Sequence, residues 1–123
     1  MNSKYKYEMT KEEDVKYVWV NQCNAKVRKQ TPVFSGVLKY FPDAIREIAQ
    51  CSFQGQQQHN PDKPLAWDRS KSGDELDALT RHLLDAGTMD TDGVRHSTKV
   101  AWRALANLQK EIENAKKEKL WEA

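Results

Sequence analysis

The sequence predicts an all-α fold, a small helical bundle built on a C-terminal helical hairpin, and three observations carry that prediction. Ala44, Ile45, Ile48, Ala49 and Ser52 recur at helical spacing through AIREIAQCSF. A second periodic stretch, DELDALTRHLLDAG, places Leu76, Leu79, Leu83 and Leu84 on an inward face. A third runs from Asp92 or Gly93 to about Leu120, with Val94, Ala101, Leu105, Leu108 and Ile112 on one face. Only a short turn separates the last two stretches, which is the unit from which bundles are assembled.

At 123 residues the chain reads as a single domain, 1–123, with one modest core. Residues 1–35 match no assignable pattern. Thr10 with Glu13 forms a capping box that predicts a helix from Lys11, while the β-branched and aromatic content of Val15–Val20 argues for a short extended segment instead. TPVFSG, 31–36, reads as a loop or a short extended piece. Pro42 fits the first turn of the next helix, where its missing N–H costs nothing. HNPDKPLAWDRSKSG, 59–73, is a long connection, and Trp67 within it is expected to dock on the rest of the protein. Gly87 is the expected C-cap of the helix through Leu84. From Lys110 the chain becomes strongly charged, a helix end expected to stand in water or to meet another subunit.

Composition excludes several classes. Apolar residues make up 38% and charged residues 31%, the balance of a soluble globular protein, and no apolar run is long enough to span a bilayer. The N-terminus has no secretory pattern. Two cysteines give neither a disulfide framework nor a CxxC pair, so a cytosolic, reducing setting is the default. The net charge of +2 does not favour nucleic acid. P-loop, dinucleotide-binding and GxSxG signatures are absent, and zinc is a poor match to two histidines without cysteine or HExxH.

Charge is nevertheless segregated. Residues 74–92 hold six acids against Arg81 alone, and Arg95, Lys99 and Arg103 follow with no acid before Glu111. Glu75, His82 and Asp85 lie close to one face of the first hairpin helix; His96, Lys99 and Arg103 share a face of the second. An antiparallel hairpin brings His82 and His96 to the same end, beside Asp90 and Asp92. Carboxylates with adjacent cations suit a divalent ion bound next to phosphate. Each residue also has a plainer use: two solvated faces of opposite charge, His82 as a buried histidine bonded to a carbonyl, Asp90 or Asp92 as a helix cap, Trp102 as core. DTDG is only a fragment of a calcium loop.

From Gly36 to Leu108, the order LKYFPDAIREIA, SFQG, a tryptophan-bearing loop, ALTRHLLDAG, MDTDG and HSTKVAWRALANL resembles the N-terminal domain of the phage-type dATP/dGTP diphosphohydrolase family. Arg81-His82-Leu83, Asp90, Gly93, His96 and Ala101-Trp102 are its most specific parts. Residues 36–109 are then the family-like core and 110–123 the charged helix end. The sequence departs from the larger group of all-α pyrophosphohydrolases in lacking paired E-x-x-E and E-x-x-D helices, with Asp74-Glu75-Leu76-Asp77 the nearest equivalent. Gln57, Gln58 and His59 stand where related sequences tend to have lysines and a tyrosine.

The resemblance implies Mg²⁺-dependent hydrolysis of a purine deoxynucleoside triphosphate to the monophosphate and pyrophosphate, in phage nucleotide metabolism and thus in a host cytoplasm. In that reading Glu47, Glu75, Asp77 and Asp90 or Asp92 hold Mg²⁺, with Mn²⁺ as a substitute. His82 or His96 orients water or protonates the leaving group, and Arg81, Lys99 and Arg103 stabilise charge. Trp67 stacks on the base. A thin core points to a homo-oligomer. Two other functions fit the residues: a non-enzymatic phage protein binding a host or viral partner through its charged C-terminal helix, and a single-strand nucleic-acid binder with four tryptophans.

Overall fold

A computed structural model describes residues 24–71 and 73–122, with side chains through Lys117. Among them are four α-helices and no strand: α1 (Ala25–Lys29), α2 (Pro42–His59), α3 (Glu75–Leu84) and α4 (His96–Glu122). The expected helix from Lys11 and the extended alternative at Val15–Val20 lie outside the described residues. The chain forms two compact units, one of residues 1–40 and 109–123, the other Phe41–Leu108.

In the first unit, Asn24 caps α1 by accepting from the Lys26 N–H at 2.8 Å. The segment expected to be a loop or extended piece is wound instead, with a π-helical turn at Phe34–Leu38. Its amides find partners in Pro32 and Phe34 carbonyls, so the backbone is satisfied locally rather than by an extended neighbour.

The second unit carries the hairpin. Pro42 opens α2 at its first turn, as expected, and Asp43 pairs with Arg46 at 3.0 Å one turn on. The face of α2 withdrawn from solvent runs through Ile48, Cys51, Ser52 and Gln56. Gln56 is buried and fastens the long connection: its amide donates to the carbonyls of Asn60 (2.6 Å) and Lys63 (3.2 Å) and accepts from the Ala66 N–H (3.3 Å). Trp67 is thereby set edge-on against Trp102 of α4, ring centroids 5.6 Å apart, and the Trp102 indole N–H donates to Ser52 Oγ at 2.7 Å. The docking expected of Trp67 is present.

Helix α3 lies antiparallel to α4, since Glu75 at its start pairs with Arg103 while His82 at its end meets His96. Its phase differs from the expected one. Ala78 and Glu75 are buried, whereas Leu76, Leu83 and Leu84 are 60%, 54% and 82% exposed. Both sets have helical spacing, and the pairing of Glu75 and His82 with α4 selects the polar one. Leu83→Ala is therefore expected to change unfolding free energy by no more than about 0.5 kcal/mol in chemical denaturation of the monomer.

The helix ends at Leu84 with Asp85 as C-cap, two residues before the expected Gly87. Gly87 and Gly93 adopt positive φ, +92° and +81°, bracketing a tight connection closed by an antiparallel bridge between Met89 and Arg95. Helix α4 begins at His96, later than expected. Asp90 and Asp92 consequently cap no helix: Asp92 Oδ1 accepts from the Val94 N–H at 3.0 Å, and Asp90 Oδ1 from Thr91 at 2.6 Å, both within the turn.

Candidate functional site

Three elements converge at the turn. His82 comes from the last turn of α3, Asp90 from the connection and His96 from the first position of α4. The two histidine Nδ1 atoms are 2.9 Å apart, with ring centroids separated by 5.1 Å. One Nδ1 must carry the shared proton and the other accept it. One ligand atom from each of His82, Asp90 and His96 lies within 4.8 Å of the other two, the one such group able to share an ion among the described residues.

Lys99, one turn into α4, closes the cluster. Its ammonium bonds Asp90 Oδ2 at 2.6 Å and Asp92 Oδ2 at 2.7 Å, and all three side chains are largely withdrawn from water. The Lys99 hydrogen bond, reinforced by the Thr91 N–H, holds Asp90 down at about 2, and Lys99 lowers Asp92 likewise. Burial alone would lower Lys99, but the two carboxylates outweigh it and its pKa rises. Burial, then the positive charge of Lys99 and the neighbouring His96, lowers His82. At neutral pH the site thus holds two carboxylates, an ammonium and a neutral His82 imidazole.

One helical turn further along, Arg103 pairs with the buried Glu75 at 2.8 Å and lies 5.6 Å from the Trp102 ring centroid. The Arg69 guanidinium covers Trp67 at 4.1 Å. Glu47 of α2 is clasped by α4 and the residue before it, receiving Arg95 Nε on both oxygens at 3.1 Å and the Thr98 hydroxyl at 2.9 Å.

Of the five carboxylates expected to share a metal, only Asp90 joins the histidines. Asp92 is bonded to Lys99, Glu75 to Arg103, Glu47 to Arg95 and Thr98, and Asp77 is exposed on α3. Arg81 is also exposed, bonded to Asp74 at 3.2 Å. The clasp on Glu47 and the Ser52–Trp102 bond went unread in the sequence. Each joins residues about fifty positions apart, and no local spacing signals it.

The clasp has a consequence for stability. The Thr98 hydroxyl, and then Arg95, lower the Glu47 pKa below 4.5. Its contribution is complete above pH 4.5 and is lost as pH falls through the folded value. Melting curves from pH 7 to 3 should show the advantage of wild type over Glu47→Gln shrinking below that point; a constant gap would mean the clasp is not formed in solution.

The sequence profile of the family described as dATP/dGTP diphosphohydrolase, N-terminal, matches residues 21–119, most of the chain. The chain belongs to this family. No curated protein and no solved structure matches it. The family match spans the whole of the His82–Asp90–His96 turn, α2, α3 and α4 as far as residue 119. No helix among the described residues is long and apolar enough to cross a membrane.

The donor set can be weighed against the expected Mg²⁺. That ion favours six oxygen ligands in near-octahedral array. The cluster offers two imidazole nitrogens and one carboxylate, and of the surrounding acids Asp92 is engaged by Lys99, Glu75 by Arg103, and Glu47 by Arg95 and Thr98. An all-oxygen Mg²⁺ site does not fit these residues.

Proposed function

We propose that this chain hydrolyses a purine deoxynucleoside triphosphate, dATP or dGTP, between the α- and β-phosphates, in phage nucleotide metabolism. The observation that carries the reading is the meeting of His82, Asp90, His96 and Lys99 at one turn in a member of a family named for this activity. Water oxygen bonds to the α-phosphorus, the bridging P–O bond to the β-phosphate breaks, and pyrophosphate leaves with the bonding pair.

Lys99 and Arg103 sit one turn apart on α4 and would exchange carboxylate oxygens for phosphate oxygens as the triphosphate enters, arginine with bidentate geometry. Stabilising charge as it builds on the bridging oxygen is their contribution to rate. The His82–His96 pair, which already shares a proton, would take one from the attacking water or return it to the leaving group. Arg81, exposed and bonded to Asp74, takes no part in these steps. A base stacked on Trp67 would displace the Arg69 guanidinium from that ring, one cation–π contact exchanged for another π contact. The exposed Leu76, Leu83 and Leu84 suit a contact between copies of the chain, and light scattering would show it as an oligomer that Leu84→Lys dissociates.

The test is a panel of nucleoside and deoxynucleoside triphosphates with several divalent ions, products resolved by chromatography. Monophosphate and pyrophosphate should form in equal amounts from dATP or dGTP. Release of orthophosphate, or no turnover by the folded protein, would overturn the reading.

A further inference from the structure

We propose that His82, Asp90 and His96 form a binding site for one divalent first-row transition ion of the Mn²⁺, Fe²⁺ or Co²⁺ class, in preference to Mg²⁺. The inference deepens the proposed hydrolysis by naming the ion of the same site, but ion binding itself does not require that activity.

Geometry supplies the first support. Metal–nitrogen bonds of about 2.1 Å put adjacent donors on one ion roughly 3 Å apart, and the two Nδ1 atoms are separated by 2.9 Å. An ion bound there displaces the proton that the pair shares, which frees both Nδ1 lone pairs, so binding releases a proton and strengthens with pH. The carboxylate donor of Asp90 completes a group spanning no more than 4.8 Å. Each ligand is fixed by a different element: His82 by α3, Asp90 by the bridged turn, His96 by the start of α4. A set anchored this way loses little freedom on binding.

Donor chemistry supplies the second. Two imidazoles with one carboxylate leave open coordination positions and suit borderline transition ions, whereas Mg²⁺ is best held by oxygen alone. Water and phosphate oxygens would take the open positions. Against these supports stands Lys99, an internal competitor for Asp90. Its ammonium is 2.6 Å from Asp90 Oδ2, so an incoming dication meets a cation already engaged there; Asp92, at 2.7 Å, can retain the ammonium when Asp90 turns to metal.

The experiment titrates the whole untagged protein with Co²⁺, reading the visible d–d band and calorimetric stoichiometry, with far-UV circular dichroism on every variant. One Co²⁺ per chain is expected, weakened at least about tenfold in His82→Gln, His96→Gln and Asp90→Asn and unaltered in His59→Gln, which lies at the end of α2. Lys99→Met should bind Co²⁺ about 3- to 10-fold more tightly, and a hundredfold excess of Mg²⁺ should leave the band in place. The proposal is overturned by the absence of a band, by an undiminished band in folded His82→Gln and His96→Gln, or by Mg²⁺ displacing Co²⁺ at equal concentration. Should the ligand variants not fold, Lys99→Met decides, and unchanged or weaker binding in that folded variant overturns it too. Co²⁺ bound as described by a protein inert toward every triphosphate would sink the hydrolase reading and leave this one standing.

Discussion

His96→Asn is expected to hydrolyse dATP or dGTP at least about a hundredfold more slowly than wild type while melting within a few degrees of it. His96 opens α4, half-buried, and its Nδ1 lies 2.9 Å from that of His82. Asparagine keeps a polar group at the helix start but supplies no imidazole to carry a proton between water and leaving group, and no ring nitrogen for an ion. General acid–base groups typically contribute about 10²–10⁴-fold, which sets the size of the expected loss. The polypeptide around the residue is held independently of the ring: the His96 N–H donates to the Thr88 carbonyl at 3.1 Å, and the Arg95 carbonyl accepts from Thr98 and Lys99. Steady-state kinetics beside thermal denaturation separates the two roles. Near-wild-type turnover would leave the histidine pair as a packing contact.

Arg103→Met is expected to lower unfolding free energy by roughly 2–3 kcal/mol, because it takes the ion-pair partner from a buried carboxylate. The Glu75 side chain is only 4% exposed and receives Arg103 at 2.8 Å. Since Arg103 itself is partly open to water, the loss falls short of the 3–5 kcal/mol typical when a fully buried pair is broken. Urea denaturation of Arg103→Met, Glu75→Gln and the double variant measures the pair directly. Additive losses would show that the two side chains do not stabilise one another, and that α3 is phased by something else.

The Glu75 pair also explains where sequence and structure part. In α3 the apolar series Leu76, Leu79, Leu83 and the mixed series Glu75, Ala78, His82 have equally good helical spacing. Hydrophobicity favours the first, and only partners from across the hairpin, Arg103 and His96, turn the second inward. Buried polar residues at positions where a simple bundle would place leucine are the mark of a site. The hairpin, the Pro42 start of α2 and the approach of His82 to His96 were legible because each follows from spacing within one helix plus an antiparallel turn. Which carboxylates gather beside the histidines was not. Glu75, Asp77, Asp90 and Asp92, with Glu47, suggested a carboxylate site, yet Lys99, Arg103, Arg95 and Thr98 engage four of the five in the fold. Asp77, the fifth, faces water.

The proposed hydrolysis has water attack the α-phosphorus of a purine deoxynucleoside triphosphate. Turnover of dATP and dGTP in ¹⁸O-labelled water, with mass analysis of both products, tests it most directly. One ¹⁸O is expected in the nucleoside monophosphate and none in pyrophosphate; label in pyrophosphate or orthophosphate, or no label because the folded protein turns over neither substrate, would refute attack at that phosphorus.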